Sequence, residues 1–330
     1  MPTKTERTLS RIQTQVDNIM AAANTLDAGQ ARFLVDTYYA IQHIRIASDA
    51  QERSVEASVP ILAYTAKLMA VVEEGIRDLL HAFAASQRVG RWSMSIPGIG
   101  PVIAAGLLAH IDISKCQTAG AIWRFAGLDP SKKWIGREGS KALVKEALGR
   151  VTGKVSMEEV ATLVVATDNK LDTVLNWMTP KDADAPKLDA QHLIAALARR
   201  PWNARLKVLC AYKMGESFVK VQNKPDDVYG KLYAVRKAEE VAKNERGDNA
   251  ELAAQILRDK DFGSDTVART ELEKGKLPQG QLHARARRYA VKLALSHWHT
   301  VAHESHYGVA PPKPYILDRG DHTHYVSPPL

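Results

Sequence analysis

The sequence has little of what secreted, membrane-spanning or zinc-ribbon proteins need. Only two of its 330 residues are cysteine, Cys116 and Cys210, and their wide separation excludes both a disulfide framework and a CxxC metal site. Both are expected to be buried thiols. No apolar run approaches the ~18 residues of a membrane span, and the first residues contain no hydrophobic signal segment. We therefore expect a cytoplasmic protein without a membrane partner.

Patterns typical of β-strands are missing too. No stretch of five or more residues alternates convincingly between apolar and polar side chains, and no internal repeat is present. The composition, 45% hydrophobic and 25% charged, is that of a globular protein, and the length suggests about two or three packed units. The sequence therefore predicts an all-α fold.

Helical periodicity dominates the first quarter of the chain. Apolar residues recur at alternating spacings of three and four within residues 9–23, 34–44 and 61–83, which places them on one stripe of each helix. Residues 1–88 are therefore predicted to form either an intramolecular helical bundle or a coiled-coil arm that makes a homodimer. The periodicity does not decide between the bundle and the coiled-coil arm.

Glycine and proline follow in a fixed arrangement, Ile-Pro-Gly-Ile-Gly-Pro at residues 96–101. This pattern between two apolar helices is typical of a helix-hairpin-helix. The glycines permit a tight turn, so that N–H groups at the start of the second helix can point at a phosphate oxygen. Such a hairpin holds the nucleic-acid backbone without reading bases. The alternative is a plain packing corner. The residues predicted to bind are Pro97, Gly98, Ile99, Gly100 and Val102.

An excess of positive charge points to a polyanionic partner. The formal net charge is +8 and the isoelectric point is about 9.3, which indicates attraction rather than specificity. Two basic patches suit phosphate neutralisation, although a solvated basic surface is the alternative for each. One is a helical stripe of Arg285, Arg288 and Lys292; the other comprises Arg199, Arg200, Arg205 and Lys207. Trp92, Trp134 and Trp202 either stack on bases or close a small core.

Histidines are concentrated near the C-terminal end. His299, His303 and His306 are spaced by four and then three residues, so one helix face could present imidazoles to a metal. The sequence HESH is not the HExxH of zinc proteases, and no cysteine or carboxylate pair completes a site. Polar surface or packing is the favoured interpretation, and neither a metal nor another cofactor is predicted.

The run GIGPVIAAGLLAHIDISKCQTAGAIWRFAGLDPS, residues 98–131, resembles the C-terminal Tnp domain of the bridge-RNA-guided insertion-sequence transposases. In that family the hairpin precedes an Ala-Gly-Leu-x-Pro turn, matched here within residues 125–130, and a basic run opens a later helix, matched here by residues 200–206. The resemblance implies a nucleic-acid partner, with DNA favoured over RNA. The family's RuvC-like domain has no counterpart, because the hairpin begins near residue 90 after an all-helical segment.

The resemblance also implies a serine nucleophile shortly after the turn. Ser131 and Ser140 are the candidates, but direct alignment of the loop places Ile135 before Gly136. Neither a base nor a positioned phosphate is evident in the sequence, so catalytic residues are unknown and an enzyme is not favoured. A base-excision glycosylase is not favoured, because no lysine stands in the hairpin and no aspartate lies at the required distance.

These observations predict a helical arm, an interrupted transposase-like domain and a tail. A long charged helix is expected over residues 229–257, and a basic helix over residues 279–307.

The first functional hypothesis is a stand-alone nucleic-acid-binding relative of the transposases. The second is a transposase or recombinase acting with a partner chain or guide RNA, and the third is an interaction protein with a purely structural hairpin. The predicted segments are residues 1–88 (arm), 89–134 (hairpin part), 135–198 (helical insertion), 199–310 (remainder of the domain) and 311–330 (Pro-rich tail).

Overall fold

The computed structural model describes residues 3–21, 25–54, 60–131, 134–167, 169–312 and 326–329. All regular structure in these ranges is helical, and the only β-type pairing among them is an isolated bridge between Lys154 and Asp189. The prediction of an all-α fold is confirmed. The chain divides into two compact units. Unit 1 combines residues 1–122 and 208–330, and unit 2 comprises residues 123–207.

The helices before and within unit 2 are numbered in chain order. They are α1 (Lys4–Ala21), α2 (Ala28–Ser54), α3 (Pro60–Ala85), α4 (Arg88–Ser95), α5 (Pro101–His110), α6 (Ala119–Phe125), α7 (Gly136–Leu148), α8 (Met157–Ala166), α9 (Leu171–Met178), α10 (Ala190–Leu197) and α11 (Ala204–Lys207). After unit 2 come a π-helical segment (Val208–Met214), α12 (Gly215–Val221), α13 (Tyr229–Glu245), α14 (Ala250–Asp259), α15 (Val267–Glu273) and α16 (Gln279–Tyr307).

The N-terminal helices pack within the chain. Helix α2 runs along α3, and both contact α5, whose ten residues contain no Lys, Arg, Asp or Glu. Small residues let neighbours approach α5 closely: a Cβ at Gly106 would lie 2.6 Å from Leu209 Cδ2. The helices predicted around residues 9–23, 34–44 and 61–83 correspond to α1, α2 and α3. Within the first stripe, Ala23 and the side chains of Leu9, Val16 and Ile19 lie outside the described part of the chain.

The prediction of one helix over residues 229–257 is wrong. Helix α13 ends at Glu245 and α14 begins at Ala250, because the intervening turn contains Gly247 at φ +86°. The buried Asn244 side chain fixes this turn: its Nδ2 donates to Leu277 O at 3.1 Å and its Oδ1 accepts from Leu277 N at 2.8 Å. A polar side chain satisfied by a distant backbone therefore determines the break.

Helix α16 has the predicted bounds and ends at Gly308 in the left-handed conformation, with φ +72°. It packs along α13. Of the predicted Pro-rich tail, residues 313–325 and 330 lie outside the described residues. Residues 326–329 lie against the rest of unit 1, where Trp92 Nε1 donates to Pro329 O at 2.9 Å and His297 Nε2 donates to Val326 O at 2.8 Å.

Unit 2 is built on its own small hydrophobic core. Helices α7 to α10 contribute Val144, Leu163, Val174 and Leu193, all at most 2% exposed. Helix α8 begins at a capping box, in which Ser156 and Glu159 satisfy each other's backbone N–H groups. The unit includes the predicted insertion of residues 135–198 and extends beyond both of its ends.

Candidate nucleic-acid interface

The hairpin between α4 and α5 contains two glycines with different roles. Gly98 adopts φ +92°, and a Cβ there would lie 3.0 Å from Phe218 Cδ1, so both its conformation and its surroundings require glycine. Gly100 is the N-cap of α5 at φ −84°, and a Cβ on it would meet no atom within 4 Å. Substitution at Gly100 therefore tests the surface of the turn without disturbing its packing.

Helix α5 begins without a side-chain cap. Pro101 at its first position has no N–H group, and Ile99 N–H donates to Ile96 O at 3.0 Å. Ile99 and Val102 have buried side chains, whereas Gly100 is exposed and Pro97 is half-buried. The positive end of the helix dipole is consequently presented by backbone groups alone, as in anion sites at helix N-termini.

The predicted basic stripe of α16 is divided in the structure. Arg285 Nη1 lies 3.2 Å from Glu240 Oε2 and 3.0 Å from Asn249 Oδ1. Glu240 has only 2% of its surface exposed and also pairs with Arg236. Arg285 therefore compensates a buried carboxylate, while Arg288 is exposed and Lys292 is half-buried.

The other basic patch belongs to unit 2, where the segment 199–207 lies against the turn at residues 125–130. Asn203 N–H donates to Phe125 O at 2.9 Å. Trp202 packs directly on Gly127, where a Cβ would lie 2.7 Å from Trp202 Cγ and where φ is +63°. The absence of a side chain at Gly127 therefore lets the basic segment sit on the turn.

Each of three cations in this segment lies over a tryptophan ring of unit 2. Arg199 Cζ is 5.6 Å from the Trp177 centroid, Arg200 Cζ is 4.8 Å from that of Trp134, and Lys207 Nζ is 4.0 Å from that of Trp202. These are cation–π distances. Arg199, Arg200 and Arg205 are exposed, and Lys207 is half-buried. Sequence reasoning missed Trp177 and all three pairings, which no local spacing signals.

The two candidate serines differ in accessibility. Ser140 is fully buried within α7, and its hydroxyl donates to Gly136 O at 2.6 Å. Ser131 is exposed, and its hydroxyl donates to Asp129 Oδ1 at 2.7 Å. Partial burial raises the pKa of Asp129, but hydrogen bonds from Ser131 and the charge of Arg124 outweigh it and hold that pKa below its usual range. A carboxylate with a low pKa is a poor base for a serine hydroxyl.

The three candidate metal ligands of α16 have other contacts. His299 is buried and its Nε2 donates to Cys116 O at 3.0 Å, while His303 Nδ1 donates to Val309 O at 3.0 Å. His306 is exposed, with its ring edge-on to Tyr307. Among the described residues, no group of three or more potential ligands could hold a metal ion. Cys116 and Cys210 are free and buried, as predicted, and burial raises the pKa of each thiol.

The N-terminal helices expose large apolar side chains. Phe33 of α2 is 68% exposed, and Ile44, Ile46, Ile61 and Tyr64 are also exposed. Phe33 borders a groove of about 630 Å³ between the N-terminal helices. No helix in the described part of the chain combines the length and apolarity that crossing a membrane requires.

Comparison with known proteins bears on the segment that contains the hairpin and the turn. Residues 91–151 match the model of the Transposase IS116/IS110/IS902 family. This match supports a relation to insertion-sequence transposases and covers less than a fifth of the chain. No curated protein and no solved structure matches the sequence.

Proposed function

We propose that this chain is a nucleic-acid-binding protein that holds the phosphate backbone through exposed cations of unit 2 and through the hairpin of unit 1. The observation that carries the proposal is the position of the basic segment 199–207. It lies against the turn at residues 125–130, and this turn belongs to the segment that matches the transposase family. DNA is favoured over RNA because the matched family consists of transposases.

The charges of this segment suit phosphate binding. Arg199 and Arg200 are exposed, and within the described residues no carboxylate forms an ion pair with either. With Arg205, three phosphate contacts would give a slope of about −2.7 in log K against log salt on duplex DNA. Affinity would then fall about 40-fold between 50 and 200 mM salt. Arg288 and Lys292 of α16 are supporting contacts in this proposal.

The hairpin supplies the second contact. The N–H group of Val102 belongs to the first turn of an uncapped helix, and Gly100 leaves the approach to that turn open. An anion there gains from the helix dipole, typically by about 0.3–1 kcal/mol at an exposed site. The hairpin therefore positions the backbone, while the arginines supply most of the affinity.

A single substitution tests the hairpin. Gly100→Glu places a carboxylate at the N-terminus of α5, where it favours the helix but repels a phosphate. Gly280→Glu is the matched control, since it too lies at a helix start with nothing within 4 Å of its Cβ position. Gly98 is unsuitable, because any side chain there disturbs the fold.

Binding is measured by fluorescence anisotropy on a 20-base-pair duplex and a structured RNA over a salt series. We expect Gly100→Glu to weaken binding about fivefold at 100 mM salt and Gly280→Glu to leave it unchanged, with both variants folded by circular dichroism. Equal binding by Gly100→Glu and the parent would make the hairpin a packing corner. Absence of parental binding to either ligand would contradict the whole proposal.

The alternative function is a transposase or recombinase with a serine nucleophile, acting with a partner chain or guide RNA. The exposed Ser131, hydrogen-bonded to Asp129, is the observation that keeps it open. Its test is a covalent protein–DNA adduct that survives detergent and is lost in Ser131→Ala. We expect no adduct from the parent protein, because the low pKa of Asp129 disfavours proton removal.

Self-association through the N-terminal helices belongs to the same proposal, with a second copy covering the exposed apolar residues of α2 and α3. Sedimentation equilibrium should give the parent about twice the mass of one 36.3 kDa chain. Phe33→Ser should reduce the mass to that of one chain, since Phe33 is the most exposed of these side chains. A monomeric parent contradicts the dimer alone.

A further inference from the structure

Trp134 is an exposed aromatic side chain that is nevertheless held in place. Its Nε1–H donates to Ala198 O at 2.7 Å, and the Arg200 guanidinium lies over its ring. With both contacts made, 45% of Trp134 is still exposed. It is also not among the residues that pack against the hydrophobic core of unit 2. A fixed aromatic surface loses little conformational freedom when a ligand covers it.

The other two cation–tryptophan pairs of this segment have structural explanations. Trp177 packs against the hydrophobic core of unit 2. Trp202 is half-buried and covers Gly127. The packing of unit 2 therefore explains the pairs at Trp177 and Trp202. It does not explain the pair at Trp134.

The surroundings of Trp134 indicate the chemistry of its ligand. A tryptophan face binds flat π-systems and cations, and the charge here is positive. Unit 2 contains 15 Lys and Arg against 10 Asp and Glu, a net charge of +5 out of the +8 of the whole chain. A cationic ligand is thereby disfavoured. A nucleotide offers a flat ring attached to an anion, and the Arg200 guanidinium beside the Trp134 ring can donate N–H groups to its phosphate.

Base pairing decides which nucleotides can bind. In a duplex, both faces of each base are covered by its stacked neighbours, whereas an unpaired base can leave the stack and lie on an aromatic side chain. We infer that Trp134 and Arg200 form a stacking site for unpaired nucleobases, with Trp134 contacting the base and Arg200 its phosphate. This inference rests on the proposed function and adds that the chain distinguishes single-stranded from duplex nucleic acid.

Substitution of Trp134 tests the inference in the full-length protein. The probes are a 12-nucleotide single strand containing 2-aminopurine, made as DNA and as RNA, and a blunt duplex of the same sequence. Trp134→Ala removes the ring, Trp134→Phe keeps an aromatic face, and Ile135→Ala is the matched control at a neighbouring exposed apolar residue. Circular dichroism and thermal melting confirm folding of each variant.

We expect Trp134→Ala to weaken single-strand binding about tenfold and Trp134→Phe to weaken it less than about threefold. Duplex binding and the salt slope should stay unchanged in both variants, because neither loses a charge. The fluorescence of 2-aminopurine should be quenched by the parent and less by Trp134→Ala. A similar loss on DNA and RNA is expected, since the base is the stacked group.

Each negative result of this experiment has a different meaning. If the parent binds single strands and Trp134→Ala binds them equally well, the stacking site is wrong and the proposed function stands. If Trp134→Ala weakens duplex and single-strand binding alike, the residue acts through the fold and the inference is also overturned. If the parent binds neither nucleic acid, the proposed function itself fails.

Discussion

The arginines of the two predicted basic patches have different roles. In unit 2, Arg199 and Arg200 lie on tryptophan rings at the surface. In the stripe of α16, Arg285 pairs with the buried Glu240. Both segments are similarly basic in the sequence, so composition alone does not separate them. Because an unpaired buried carboxylate is costly, Arg285 is held within the fold by Glu240 rather than offered to a ligand.

The largest effect is expected where the basic segment of unit 2 meets the turn. Gly127→Ala would strain a residue at φ +63° and force the new methyl group against Trp202, at a cost of about 3 kcal/mol of unfolding free energy. Gly149→Ala is the matched control, because Gly149 has φ +68° with nothing within 4 Å of its Cβ position. It should cost about 1 kcal/mol. Urea unfolding measures both, and equal costs would show that Trp202 does not press on Gly127.

A smaller loss of unfolding free energy is expected in unit 1 when the buried carboxylate of Glu240 is removed. Glu240→Ala leaves Arg236 and Arg285 without their shared partner. Because both arginines are about one-third exposed, the cost should be about 2 kcal/mol, below the usual range for a fully buried pair.

Glu239→Ala is the control for this comparison. Glu239 pairs with the same Arg236 at 3.4 Å, but its side chain is exposed, so its loss should cost less than about 0.5 kcal/mol. Both variants are measured by urea unfolding. If they are equally stable, Arg285 is not engaged by Glu240 and the contrast between the two basic patches disappears.

Mild acid should destabilise unit 1 more than unit 2. This effect should be smaller than those of the substitutions above. Burial lowers the pKa of His297 and of His299 below the ordinary 6.5, although hydrogen bonds to Val326 O and Cys116 O partly oppose it. The unfolded chain therefore binds protons before the folded one does. The stability from these residues is fully present above about pH 6.5 and is lost as the pH falls through their lower folded values.

Hydrogen exchange at pH 7.5 and 5.5 measures this difference by region. Unit 2 contains one of the eleven histidines, His192, so unit 1 should lose more protection. His297→Gln should reduce the pH dependence in α16. Equal loss of protection in both units would assign the acid sensitivity to carboxylates instead.

The sequence predicts much of the helical framework, because periodicity and local breakers determine it. The bounds of α16 follow from the Gly-Lys-Leu-Pro break before it and Gly308 after it. The break at Gly247 is less predictable, since a lone glycine in a charged stretch does not outweigh the surrounding helical pattern. It becomes decisive through Asn244, whose partner Leu277 lies far along the chain.

The candidate site is less predictable than the fold for a similar reason. The sequence identifies Arg200 and Trp134 separately, but their contact depends on the fold of the helices between them. Sequence alone also cannot distinguish the exposed Ser131 from Ser140, whose hydroxyl bonds to its own helix backbone. The relation to transposases could be recognised because it rests on a local run, residues 98–131, which lies within the matched segment 91–151.

The most direct test of the central claim compares the salt dependence of duplex binding in two double variants. Arg199→Gln/Arg200→Gln removes two charges of unit 2, and Arg288→Gln/Lys292→Gln removes two from α16. The first pair should make the slope of log K against log salt shallower by about 1.8, and the second by no more than about one. An unchanged slope in Arg199→Gln/Arg200→Gln, or salt-independent binding by the parent, would contradict a phosphate grip by the basic segment of unit 2.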